Sequence, residues 1–150
     1  MNTSIIRNTI GRLLQLLALL LIGPLLVSIL YREELRYQLS FIIPIVLSFS
    51  AGRYITTSKY NDFVGAQEAL VITALVWLVY SLFGSLPYLI SGTLPSFVDS
   101  FFETMSGFTT TGSTVIPNVE VISKSILFWR SFTLFIGGLG VVVFALAILP

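Results

Sequence analysis

The stretch PSFVDSFFETMSGFTTTGSTV, residues 95–115, decides the fold of this chain. It begins at a proline, continues as an apolar run with two acids, and ends in a cluster of threonine, serine and glycine. Ser96 followed by Asp99 is typical of a helix start, and Gly107 is a typical helix stop. We therefore predict a helix over residues 97–106, about 15 Å long, which is half of a bilayer.

The composition around this stretch is that of a membrane protein. The 150 residues are 55% hydrophobic and 10% charged, with a mean hydropathy of +0.95. A soluble domain carries roughly 25% charged residues. The net charge of +1 gives no basic surface for nucleic acid. Because the sequence has no cysteine and no histidine, we predict neither disulfides nor zinc, and a protein that is not an enzyme.

Uncharged runs predict the membrane spans at the amino-terminal end. Residues 13–31 carry no charge and would form a helix of about 28 Å. We interpret this run as a retained span rather than a signal peptide, with a kink at the Gly-Pro pair of residues 23–24. Residues 37–52 predict a second, shorter span that Pro44 bends. Gly52 would let another helix approach closely.

Two further spans enclose the opening stretch. Residues 69–91 predict the third span, and the fourth is expected from residue 131 onward. The GGLG motif at residues 137–140 is expected to provide close-packing points rather than a hinge. Each of the two acids on the predicted short helix would cost about 2.5 kcal/mol or more in a lipid-facing span. We therefore expect this helix to be re-entrant and shielded by protein.

The hydroxyl segment, residues 109–114 (TTTGST), follows the predicted short helix. Irregular backbone at membrane depth occurs only where protein buries it or water fills a cavity. An extended segment would present neutral carbonyl and hydroxyl oxygens near the negative end of the helix dipole, which suits a dehydrated monovalent cation. Gly112 permits backbone angles that aim carbonyls inward. The alternative is a threonine-rich loop that only packs, in a non-conducting membrane scaffold or accessory subunit.

Two motifs, FFETMSGFTTTGSTV (101–115) and ILFWRSFTLFIGGLGVVVFALAILP (126–150), resemble the Trk/Ktr family of potassium-uptake membrane subunits. The resemblance implies an all-α membrane protein with an amino-terminal transmembrane helix pair and cytoplasmic loop over residues 1–65. Residues 66–150 would form the first outer helix–re-entrant pore helix–filter–inner helix unit of potassium-channel type. The resemblance also implies potassium uptake across the plasma membrane, a chain truncated at its end, and about one quarter of the pore.

The family's filter, carried over residue by residue, implies potassium ligands at Thr110, Thr111 and Gly112, and also at Ser113. Its single glycine, in place of the Gly-Tyr-Gly of ordinary potassium channels, implies softer selectivity. The resemblance further implies potassium as the transported ligand without a cofactor, and a homodimer of the full-length subunit. A cytosolic nucleotide-binding regulatory ring would be the other partner, and a proton or a sodium gradient would drive uptake.

Basic residues near the predicted spans help to predict how the chain is oriented in the cell inner membrane, where we expect it to lie. Excess lysine and arginine mark the cytoplasmic side, and we expect the amino terminus there. The cytoplasmic set would be Arg7, Arg12, Arg53 and Lys59, and the opposite set Arg32, Arg36, Lys124 and Arg130. Because the two sets are equal in number, the rule supports this orientation without deciding it.

Three charged residues lie near the hydroxyl segment in sequence. Asp99 is expected to stabilise the start of the short helix through the helix dipole. For Glu103 two interpretations stay open: a hydrogen bond to the filter from behind, or a solvated outer rim. Arg130, beside Trp129, is expected to be a membrane-interface anchor, with a role in repelling anions as the alternative.

Overall fold

The computed structural model describes residues 3–56 and 65–148, and every regular element in these ranges is a helix. Lys59, which the orientation prediction uses, lies outside the described residues. The helices are α1 (Thr3–Leu20), α2 (Ile22–Leu30), α3 (Leu35–Ile55), α4 (Ala66–Gly84), α5 (Leu86–Ser91), α6 (Phe97–Phe108) and α7 (Lys124–Ile148).

Three helical stretches in the described ranges are long and apolar enough to cross a membrane. They are Thr3–Leu30, Leu35–Ile55 and Gln67–Ser91, with 28, 21 and 25 residues. These stretches confirm the first three predicted spans. The helix predicted from residue 131 begins earlier, at Lys124, so the predicted start was wrong. A charged residue near the end of a helix marks the edge of the apolar run and does not stop the helix.

Two prolines interrupt the helices. Pro24 cannot donate a hydrogen bond to the carbonyl four residues earlier, and the helix breaks at Leu21, between α1 and α2. This break lies just before the Gly-Pro pair at which the kink was predicted. Pro87 follows the similar break at Ser85 that separates α4 from α5. Pro44 lies inside α3 and does not end it.

Helices α1 and α3 cross at two glycines. A Cβ added at Gly52 would lie 2.5 Å from the carbonyl oxygen of Gly11, and one added at Gly11 would lie 2.9 Å from that of Gly52. Such distances leave no room for a side chain on either helix. The close approach predicted from Gly52 is therefore confirmed, and Gly11 is its partner.

The short helix α6 packs against both α4 and α7. Phe108, near its end, packs against Tyr80 of α4 and Trp129 of α7, with ring centroids 5.4 Å and 6.1 Å away. Trp129 is fully buried, and its Nε1–H donates a hydrogen bond to the carbonyl oxygen of Gly84 at 3.0 Å. Trp129 is thus a core residue that ties α7 to the end of α4.

Trp129→Phe removes this indole donor and leaves the buried Gly84 carbonyl without its partner. We expect the free energy of unfolding to fall by about 1–3 kcal/mol. Thermal unfolding of the purified protein in detergent measures the change. Trp77→Phe on α4 is the control, because Trp77 is half-buried and makes no hydrogen bond to any described residue. A loss at Trp129 no larger than at Trp77 contradicts the prediction.

Candidate functional site

Helix α6 leads into the hydroxyl segment through a Schellman motif. The N–H of Thr111 donates to the carbonyl oxygen of Ser106, and the N–H of Thr110 donates to that of Gly107, both at 2.9 Å. Thr110 occupies the left-handed position of this motif, with φ of 59°. Glycine is the usual residue there, and a β-branched residue with positive φ is rare. The backbone is therefore strained where the hydroxyl segment begins.

Gly107 does not end the helix, contrary to the prediction. Helix α6 has 12 residues, Phe97–Phe108, and the Schellman motif supplies donors to carbonyls in its last turn. A Cβ at Gly107 would overlap the side chain of Thr133, so this glycine allows α7 to approach. The predicted helix start is confirmed, because the Ser96 hydroxyl accepts a hydrogen bond from the N–H of Asp99 at 3.4 Å.

The hydroxyl segment is exposed from Thr110 onward. Gly112 has φ of 75°, so Thr110 and Gly112 are both left-handed and the expectation of an extended segment was wrong. Among the described residues, no hydrogen bond reaches the backbone carbonyls of Thr110, Thr111 and Gly112. The carbonyl of Ser113 differs, because it accepts the Ser106 hydroxyl at 2.7 Å. It keeps one lone pair for another partner.

Glu103 binds the end of the hydroxyl segment. Both of its carboxylate oxygens lie 2.9 Å from Oγ1 of Thr114, and Oε2 also accepts the N–H of Val115 at 2.9 Å. The residue is only 3% exposed. Of the two interpretations left open for Glu103, the contacts match the hydrogen bond from behind the segment, and the solvated rim was wrong.

Arg130 forms an ion pair with Glu103. Its Nε lies 2.9 Å from Oε1 of Glu103, and its side chain is 19% exposed. A buried carboxylate needs an opposite charge close by, and Arg130 supplies it from α7. The expectation of an interface anchor was therefore wrong for Arg130.

The glycines of the GGLG motif have different surroundings. A Cβ at Gly137 would overlap the carbonyl oxygen of Phe108, whereas nothing lies within 4 Å of one at Gly138 or Gly140. The close-packing prediction is confirmed for Gly137. At Gly138 and Gly140 the described part of the chain brings no other backbone close, and close packing there stays a prediction. Successive residues of a helix point about 100° apart, so Gly138 points away from the contact that Gly137 makes with α6.

The sequence reasoning missed two residues near the site. Ser106 supplies both the carbonyl that ends α6 and the hydroxyl that holds Ser113. Glu33, in the turn after α2, accepts the N–H of Ser125 at 3.1 Å and also its hydroxyl. Glu33 thereby stabilises the start of α7. No local pattern predicts this contact, because 92 positions separate the two residues.

The three apolar stretches and the helical architecture define a multi-pass, all-helical membrane protein. Comparison with known proteins then gives its family. Residues 38–150 match the family model of the TrkH cation transport proteins. The chain belongs to this family, which confirms the resemblance found in the sequence.

Individual relatives agree with this assignment. An uncharacterised cation transporter of Methanocaldococcus jannaschii is 38% identical over 96% of this chain and 30% of its own length. The Trk system potassium uptake protein TrkG of Escherichia coli is 34% identical over 100% of this chain and 32% of its own. The crystal structure of the potassium transporter TrkH from Vibrio parahaemolyticus matches with a TM-score of 0.90 and 36% identity, over 100% of this chain and 32% of that one. The chain spans about a third of the length of these relatives.

Proposed function

We propose that this chain carries one ion-binding unit of a potassium uptake subunit. In this unit α4 and α5 form the outer helix, α6 the pore helix, the hydroxyl segment the filter, and α7 the inner helix. Four such segments around a common axis would complete the filter, so that this chain contributes about one quarter of the pore. The names of the relatives, potassium uptake protein and potassium transporter, support the choice of ion.

One observation carries the proposal: the carbonyls of Thr110, Thr111 and Gly112 are free of hydrogen bonds from any described residue. Neutral oxygens in number replace the water shell of an alkali ion, whereas calcium sites use carboxylates. The described residues contain no group of three or more metal-binding side chains. We infer that Thr110, Thr111 and Gly112 bind potassium through their carbonyls, and that Ser113 contributes its remaining lone pair.

The short helix supports the same function through its dipole. The carboxyl-terminal end of a helix carries roughly half a negative charge, which favours a cation within about one turn. The hydroxyl segment begins at this end of α6. A cation at the free carbonyls is therefore stabilised without an acidic side chain among its ligands.

The wider assembly is inferred from the resemblance. We propose a homodimer of the full-length subunit in the cell inner membrane, with a cytoplasmic amino terminus and a cytosolic nucleotide-binding regulatory ring. A proton or a sodium gradient would drive the ion. We propose that the protein is a transporter, without enzymatic activity and without a cofactor.

Growth of a potassium-uptake-deficient strain on low potassium tests the function. We expect the full-length subunit to restore growth, and a variant with residues 109–114 scrambled to fail while it still inserts and assembles. Such a variant keeps the composition of the segment and loses the order that presents its carbonyls. Growth equal to that of the wild type contradicts the ion-binding role and favours a non-conducting scaffold. Membrane fractionation and detection of the assembled complex are the controls.

A further inference from the structure

The buried carboxylate of Glu103 lies directly behind the hydroxyl segment. The proposed ion ligands are backbone carbonyls, so this side chain has no part in the proposed ion binding. Three donors converge on Glu103: the hydroxyl of Thr114, the N–H of Val115 and the Nε–H of Arg130, each at 2.9 Å. Thr114 is the last residue of the hydroxyl segment and Val115 follows it, whereas Arg130 belongs to α7. Glu103 therefore joins three parts of the molecule at one point.

A carboxylate fits this position better than an amide. An ionised carboxylate only accepts hydrogen bonds, through two oxygens, whereas an amide has one accepting oxygen and two N–H donors. With glutamine at position 103, the amide nitrogen would replace one of the two accepting oxygens. Its N–H groups would then point at the N–H of Val115 or at the Nε–H of Arg130, and that donor would lose its acceptor. The opposite charge of Arg130 balances that of Glu103, so the pair holds the chain without adding net charge beside the proposed ion path.

The hydroxyl segment is held from one face of α6 at two places. Ser106 accepts the N–H of Thr111 at 2.9 Å and donates its hydroxyl to the carbonyl of Ser113 at 2.7 Å. Glu103 lies three residues earlier, on the same face of the helix, and holds Thr114, the next residue along the chain. The three free carbonyls lie between the end of α6 and the contacts that Ser106 and Glu103 make with Ser113 and Thr114, so their spacing depends on both contacts.

We propose that Glu103, paired with Arg130, is a positioning residue that fixes the spacing of the ion-binding carbonyls and thereby sets the preference for potassium over sodium. This role rests on the proposed function. Selectivity depends on how many carbonyl oxygens surround the ion and on how they are held. When the segment is released at Thr114, its oxygens can close around the smaller ion.

The test measures potassium and sodium uptake by the full-length subunit in proteoliposomes. In the double variant Glu103→Gln, Arg130→Gln, which leaves no unpaired buried charge, we expect the ratio of the two uptake rates to fall about tenfold. Asp99→Asn is the matched control, because this acid lies on the same helix in its first turn. We expect this control to keep the wild-type ratio. A purely structural role of Glu103 would lower the yield of folded protein and leave the ratio unchanged.

A second variant tests the positioning role of Glu103 if the double variant does not fold. Thr114→Val removes one donor to Glu103 and leaves the ion pair in place, and we expect it also to lower the ratio. If both variants fold and keep the wild-type ratio while Gly112→Ala abolishes uptake, the positioning role is overturned and the proposed function stands. Normal uptake by Gly112→Ala overturns the proposed function and the positioning role with it.

Discussion

Gly112→Ala in the full-length subunit is expected to reduce potassium uptake by about a hundredfold, below the level that supports growth on low potassium. Gly112 has φ of 75°, which costs an alanine about 1–2 kcal/mol. No described atom lies within 4 Å of a Cβ at this position, so within this chain the effect comes from the backbone angle. Rotation of the peptide relieves the strain and turns a carbonyl away from the ion.

The chain offers a control with the same strain in another place. Gly92, which ends α5, has φ of 72°, so Gly92→Ala tests the cost of alanine in a left-handed position outside the hydroxyl segment. A Cβ there would also lie 2.8 Å from the guanidinium of Arg36, the flexible end of a side chain that can move aside. We expect this variant to lose about 1–2 kcal/mol of stability and to keep its uptake per assembled protein. Equal uptake by both variants, normalised to the amount in the membrane, contradicts the assignment of Gly112 to the ion path.

Local chemistry explains which elements could be predicted from the sequence. The start of α6 follows from Ser96 and Asp99, because a helix cap needs only residues three apart. The break before Pro24 follows from one missing N–H. The first three spans follow from the length of uncharged runs, since a bilayer of fixed thickness requires them. Each of these signals lies within one segment of the chain.

The contacts behind the hydroxyl segment could not be predicted in the same way. Glu103 and Arg130 are 27 positions apart on two helices, and only the packing of α6 against α7 brings them together. Gly107 was misread because a glycine suits both a helix stop and a close helix contact. The left-handed conformation of Thr110 was not predicted, because a β-branched residue rarely takes such an angle and Gly112 was the residue expected to take it.

Helix packing behind the hydroxyl segment depends on Gly137. A Cβ there would overlap the carbonyl oxygen of Phe108 and lie 2.8 Å from its carbonyl carbon. These atoms belong to the backbone and cannot rotate away as a flexible side chain does. Relief therefore requires α7 to move away from the end of α6, where the hydroxyl segment begins.

We expect Gly137→Ala to lower the free energy of unfolding by about 1–3 kcal/mol, as overpacking of a core does, and to reduce potassium uptake as well. Gly138→Ala is a matched control one residue away, because no atom of the described residues lies within 4 Å of a Cβ there. In a helix interior alanine is favoured over glycine by about 1 kcal/mol, so this variant should be equally or more stable. Thermal unfolding in detergent compares the two. Equal stability of the two variants would mean that α6 and α7 do not meet at Gly137, because the same substitution then meets no backbone at either position.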